Sequence, residues 1–225
     1  MEKEATQKDA EILVADFMER AKFAKSEICA EKDIENKDNP AILIVVFEPK
    51  EEGYEGDYNA LKEMCDEMGL SRVLQCAMVP LIHKPDVADC LTDVIGAFPL
   101  DKCAYLFLAC EGFVGKQDDG KLPDDYQRGD LEKDYKENPF SQVTEAIVIH
   151  GYDWNLTNRF MSVCHYGYDD NGLPKYGEEI NSNDEPNEDS PRGRIDELLY
   201  RGIQFLQMNN EATRLLSKWQ KKGGR

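Results

Sequence analysis

Glu48 and Glu111 stand directly after the two most apolar runs of the chain, AILIVVF at 41–47 and CAYLFLAC at 103–110. An acidic loop containing glycine follows each of them. If the two runs are neighbouring parallel strands, both carboxylates emerge at strand carboxyl ends, where open α/β sheets place their ligands. With Glu51, Glu52, Asp57, Asp118 and Asp119 near the same rim, they could hold Mg²⁺ or Mn²⁺, or work as general acid and base. The plainer reading is preferred: a polar residue simply marks where a buried strand meets water.

Other residues with chemistry in them carry less. Gly115 to Lys121 satisfies G-x-x-x-x-G-K, but Leu122 replaces the hydroxyl residue that would hold magnesium, and Asp118 and Asp119 would face the phosphates. This is a loop. Gly167-x-Asp169-x-Asn171-Gly172 with Glu178 copies the later half of a calcium loop, yet its first ligand position is a glycine, and an Asn-Gly hairpin turn explains the same letters. The histidines are His83, His150 and His165. A hairpin of 143–150 and 158–168 sets His165 opposite residues 142–146, with His150 about 13–27 Å farther along. The two then cannot share an ion, and His165 is expected to pair with Glu145 across the ladder. Seven scattered cysteines offer no zinc spacing, and Cys164 and His165, adjacent on one strand, point to opposite faces.

The elements that must position these residues follow from periodicity. Residues 5–30 carry a helical stripe of Ala10, Leu13, Val14, Phe17, Met18, Ala21, Ala24 and Ile28. AILIVVF, apolar on both faces, belongs inside a covered sheet. Leu61, Met64, Cys65 and Met68 make a short helix that Gly69 caps. Residues 71–82 are ambiguous, because Pro80 would break a central strand. Ala88, Leu91, Val94 and Ile95 mark a further helix, so 41–48 and 103–110 read as the two strands of a right-handed parallel β-α-β crossover. Residues 115–139 read as a long polar loop. The hairpin follows, then a turn at Asp169-Asp170-Asn171-Gly172 and a short third strand at 173–176. Apolar residues from Ile195 to Trp219 describe a C-terminal helix.

The charge is uneven. The chain of 225 residues has 27 Lys+Arg and 45 Asp+Glu, a formal net charge of −18. Residues 192–225 carry eight basic and three acidic side chains, a net +5, which leaves −23 on residues 1–191. Such a surface repels phosphate backbones, so nucleic acid is an unfavourable partner. The longest apolar run, Cys103 to Cys110, is eight residues, where a membrane span needs about 20. The start, MEKEATQKDAE, lacks the order of a secretory signal, and the odd number of cysteines suits a reducing, cytoplasmic compartment.

Cys110-Glu111-Gly112-Phe113, then Glu137-Asn138-Pro139 through Glu145-Ala146, then Asp169 through Pro174, follow one another in a recognisable order. Over about residues 103–178 the chain resembles a loose group of small uncharacterised α+β proteins from phages and bacteria. In that group a buried strand ends in Glu plus an aromatic, a polar loop with proline follows, and two strands finish at a turn. The resemblance implies this strand order and a viral or mobile-element origin, hence a host cytoplasm. It implies no catalytic residue.

The expected architecture is α/β to α+β. A mixed sheet of about five strands has an early parallel crossover and a late antiparallel meander, with helices at both termini. Residues 1–176 form one domain, 177–191 an acidic flexible linker, and 192–225 a basic helical segment docked on the domain. The expected function is that of a cytoplasmic accessory protein that presents an acidic surface to a protein partner, itself possessing basic groups, and needs no cofactor. The alternative is a Mg²⁺- or Mn²⁺-dependent hydrolase working at Glu48 and Glu111.

Overall fold

The computed structural model describes residues 2–31, 37–81, 102–115, 143–184 and 199–208. Six strands, β1 (Ala41–Phe47), β2 (Gln75–Leu81), β3 (Cys103–Gly115), β4 (Val143–Asp153), β5 (Arg159–Tyr168) and β6 (Pro174–Asp184), form one sheet in the order β2-β1-β3-β4-β5-β6. Every neighbouring pair is antiparallel. Helix α1 (Glu2–Ala30) and helix α2 (Tyr58–Met68) cover one face. A third helical segment, α3, at residues 199–208, covers the other. The fold is α+β.

The expected mixed sheet with a parallel 41–48/103–110 crossover is therefore wrong. The ambiguous stretch is the reason. Residues 75–81 form β2, which pairs with β1 on the side away from β3, and β1 then runs opposite to both neighbours. Pro80 is tolerated because, among the described residues, β2 is an edge strand with no ladder on its outer side. The further helix expected around residues 88–95 lies outside the described residues.

Alternation explains how β1 and β3 are buried on both faces. Ile44, Val46, Tyr105, Phe107 and Ala109 pack towards α1 and α2, while Leu43, Val45, Leu106 and Leu108 pack towards α3. Phe17 of α1 meets Phe107 edge to face at 5.7 Å between ring centroids. The ring of Phe107 crosses Gly151 on β4 so closely that a Cβ there would lie 2.0 Å from it, which leaves glycine as the residue that fits. Asp57 caps α2 by accepting from the backbone N–H groups of Asn59 and Ala60, both at 3.1 Å, and Gly69 ends it at φ 78°.

Two segments run longer than expected. Strand β3 continues past Glu111 to Gly115, and β6 continues from 174 through 184. Residues 177–184, read as the start of a linker, are thus part of the sheet, and 185–191 lie outside the described residues. Leu199, Ile203 and Leu206 bury α3 against the sheet, Tyr200 packs edge to face on Tyr152 at 5.6 Å, and Gln207 donates to the Trp154 carbonyl. No described helix is long and apolar enough to cross a membrane. No disulfide links any of the described cysteines.

Candidate functional site

The antiparallel pairing of β1 and β3 separates the two glutamates. Ile42 lies opposite Ala109, so Glu111 falls beside residue 40, whereas the Glu48 backbone N–H donates to the Lys102 carbonyl at 2.9 Å. Eight or nine strand residues lie between the two levels, about 25–30 Å. Glu48 and Glu111 sit at opposite ends of the sheet and form no common rim. The premise of the hydrolase alternative goes with it. Among the described residues no group of three or more His, Cys, Asp or Glu side chains is placed to hold a metal ion.

Each glutamate instead joins a charged cluster at one end of α1. At the carboxyl end, Lys25 is 0% exposed and its Nζ donates to Glu111 Oε2 at 2.8 Å and to the Lys37 carbonyl at 2.8 Å. Tyr166 donates to the same Glu111 oxygen at 3.2 Å, and the Lys25 ammonium lies 5.0 Å from the Tyr166 ring centroid. Burial is the largest influence on the Lys25 ammonium and lowers its pKa, but the hydrogen bond and charge of Glu111 outweigh it, and the net direction is upward. Burial, then the charges of Glu111 and Glu145, push the Tyr166 phenol far up. Tyr168 donates to Glu145 at 3.0 Å and is raised to about 12, chiefly by burial.

At the amino end, Asp9 is 1% exposed. It accepts from the Ser71 backbone N–H at 2.6 Å, the Ser71 hydroxyl at 2.8 Å and Arg72 Nε at 3.1 Å. Arg72 Nη2 donates to the Tyr105 hydroxyl at 2.6 Å, and Tyr105 donates to the Thr6 carbonyl at 2.6 Å. Glu48 approaches Arg72 Nη1 at 3.5 Å from a side chain that is 52% exposed. Glu48, Lys50, Arg72 and Asp153 line an open polar cavity of about 450 Å³ here.

Lys25, Asp9, Arg72, Tyr105 and Tyr166 were not singled out from the sequence. A signal existed for two of them. Lys25 follows Met18 and Ala21 by seven and four residues and Asp9 precedes Leu13 by four, so both are charges lying on the apolar stripe of α1.

The remaining candidates are structural. His165 lies opposite Ala146 and pairs with Thr144 Oγ1 through Nδ1 at 2.6 Å. Glu145 lies opposite Tyr166, on the other face, so the expected Glu145–His165 pair does not form. His150 lies opposite Met161, four residues along β4 from Ala146. Burial raises the pKa of the Cys164 thiol, which removes the thiolate that a nucleophile would need. Asp169 accepts from the backbone N–H groups of Asn171 at 2.8 Å and Leu173 at 2.9 Å, which holds its carboxyl below the usual range and builds the turn that resembled a calcium loop. His83 and residues 116–122 of the glycine loop lie outside the described residues.

The surface that the fold does create from charged residues is the β1–α2 loop with the outer side of α2. Leu61 and Cys65 turn that helix inward. From residue 48 to residue 67, Glu48, Glu51, Glu52, Glu55, Asp57, Glu63, Asp66 and Glu67 are all exposed, beside only Lys50 and Lys62, a net −6 within this stretch. Met64, 50% exposed, sits among them. No family model matches the chain, and no curated protein or solved structure matches it either.

Proposed function

We propose that the protein is a cytoplasmic accessory protein, of phage or mobile-element origin, that binds a protein partner carrying a basic surface. The observation that supports this reading is the acidic face over residues 48–67, where eight exposed carboxylates surround a half-exposed methionine. Carboxylates of one sign on a rigid loop and helix attract an oppositely charged partner over a Debye length and raise the encounter rate. Met64 supplies an adaptable apolar contact of the kind enriched at interfaces.

The test takes a partner captured by the protein from bacterial extract and measures its association rate across a salt series. Glu51→Gln, Glu52→Gln, Glu55→Gln and Glu63→Gln together remove half of the face. Glu27→Gln, Glu31→Gln, Asp170→Asn and Glu178→Gln remove the same charge elsewhere on the surface. The first variant should associate roughly tenfold more slowly at low salt, and the second should stay near the parent. A rate insensitive to salt, equal losses in both variants, or no captured protein would each reject the reading.

A further inference from the structure

The acidic face over residues 48–67 carries a net −6, and its carboxylates repel one another until an opposite charge covers them. The chain contains such a charge. Residues 209–225 hold Arg214, Lys218, Lys221, Lys222 and Arg225 against Glu211 alone, a net +4 in a chain whose total is −18. In the sequence, Arg214, Lys218, Lys221 and Lys222 recur at helical spacing, and Leu215, Leu216 and Trp219 recur beside them. One basic side next to one apolar side complements carboxylates set around a half-exposed Met64.

The fold sets the start of this segment beside the acidic face. Helices α2 and α3 cover opposite faces of the sheet, but α3 ends at the rim where the β1–α2 loop begins. Gln207 donates to the Trp154 carbonyl, and Trp154 shares the polar cavity with Glu48, Pro49 and Lys50. Arg72, a few residues beyond α2, lines the same cavity, so the acidic stretch both leaves this rim and returns to it. Met208, next to Gln207, is 66% exposed. Seventeen residues follow it, about 25 Å at the rise of an α-helix, whereas the 11 residues of α2 span about 16 Å. The segment is long enough to cover the face from the rim outward. Tethering favours the contact. Groups joined by a short chain meet at an effective concentration on the order of 1 mM, so a contact with a Kd of about 0.1 mM is closed roughly nine-tenths of the time.

We infer that residues 209–225 dock on the acidic face, pair their basic side chains with its carboxylates, and compete there with the basic partner. The competition rests on the function proposed above. The docking does not, and its test needs no partner.

A water-soluble carbodiimide joins a lysine amine to a carboxylate only where the two touch. Applied to the dilute full chain, it should link Lys218, Lys221 or Lys222 to Glu51, Glu52, Glu55 or Glu63, as read by peptide mass spectrometry. Links to Glu27, Glu31, Asp170 or Glu178, exposed elsewhere, should be several times rarer. High salt should remove the favoured links. No links, equal linking to both sets, links that persist in salt, or links found only between two chains would each overturn the docking. The competition is measured with Lys218→Gln and Lys221→Gln together, against Lys8→Gln and Lys175→Gln, which remove the same charge from exposed positions on α1 and β6. Loss of two exposed ion pairs favours the undocked form about tenfold, so the first variant should bind the captured partner about fivefold more tightly than the second. Equal affinities would overturn the competition. If no partner is captured, the function proposed above fails while the links still decide the docking.

Discussion

A charged side chain points inward near each end of α1, and the two ends treat it differently. Lys25 and Asp9 are both almost fully buried, and each meets an opposite charge from the other side of the core. At the Lys25 end the partner is buried too, with Glu111 5% exposed. At the Asp9 end the partner, Arg72, is 29% exposed and shares its guanidinium among Asp9, Tyr105 and Glu48. Asp9 also has two donors from Ser71 that do not depend on Arg72. One end is a sealed ion pair and the other a network open to water. A sealed pair gains nothing from solvent when it is cut, whereas an open network is partly repaired by it.

The largest effect should come from cutting the sealed pair. Lys25→Met keeps the length of the side chain and removes the cation beside a buried carboxylate, a change that costs about 3–5 kcal/mol. In a chain of this size that lowers the melting temperature by roughly 10 °C. Adding Glu111→Gln should recover most of the loss, because an amide still accepts from Tyr166 and no longer requires a countercharge. If the double variant melts no higher than Lys25→Met alone, the pair is not what holds this end of α1. Arg72→Met should cost less, about 1.5–3 kcal/mol, since Asp9 retains its Ser71 donors. Equal losses for Lys25→Met and Arg72→Met in thermal melts would erase the distinction between the ends.

Alkaline titration sharpens the same contrast. Tyr166 and Tyr105 are both held above their ordinary phenol values, first by burial, as is the Cys103 thiol, raised to about 12. A group that keeps its proton in the folded state and loses it in the unfolded state makes folding weaken as pH rises. Stability should therefore fall from about pH 9 upward, first through the cysteine and then through the tyrosines. Lys25 acts in the same direction: its raised pKa means that its contribution is complete below about 10.5 and fades above that value. Tyr166→Phe should flatten the melting curve against pH above 10 more than Tyr105→Phe does, because Arg72 opposes the rise at Tyr105. The reverse order would contradict the part given to Arg72 in opposing the rise at Tyr105.

Local signals carried the elements that depend on neighbours in sequence. Strand β1, helix α2 with its Gly69 cap, and the turn at 169–172 could all be read from a few adjacent residues. Features set by distant partners could not. Glu111 looked like the end of a strand because its countercharge, Lys25, lies 86 residues away. Beyond residue 176, strand β6 looked like a linker because it is rich in Asn, Ser and acidic residues, which a strand at the edge of the sheet among the described residues can carry on its wet side. Strand β2 was obscured by Pro80, a problem only for a central strand, and overlooking its role reversed the apparent direction of β3. The candidate rim followed from that reversal. The acidic residues of the 48–57 loop could be read as exposed without knowing the sheet order, because a polar loop meets water wherever the strands around it lie.

The smallest predicted effect comes from the residue that first drew attention. Glu48 lies 3.5 Å from Arg72 and is about half exposed, so it is a surface ion pair. Such pairs contribute about 0–1 kcal/mol and are weakened by salt. Arg72 meanwhile keeps Asp9 and Tyr105. Glu48→Gln should move the melting temperature by no more than about 3 °C at low salt, and the difference should vanish at high salt. Glu111→Gln, the other half of the original pair, should cost several times more at any salt concentration, because it leaves the Lys25 ammonium buried beside a neutral amide. The ratio of these two losses measures how differently the ends of α1 are closed to solvent. A ratio near one would mean that water reaches both.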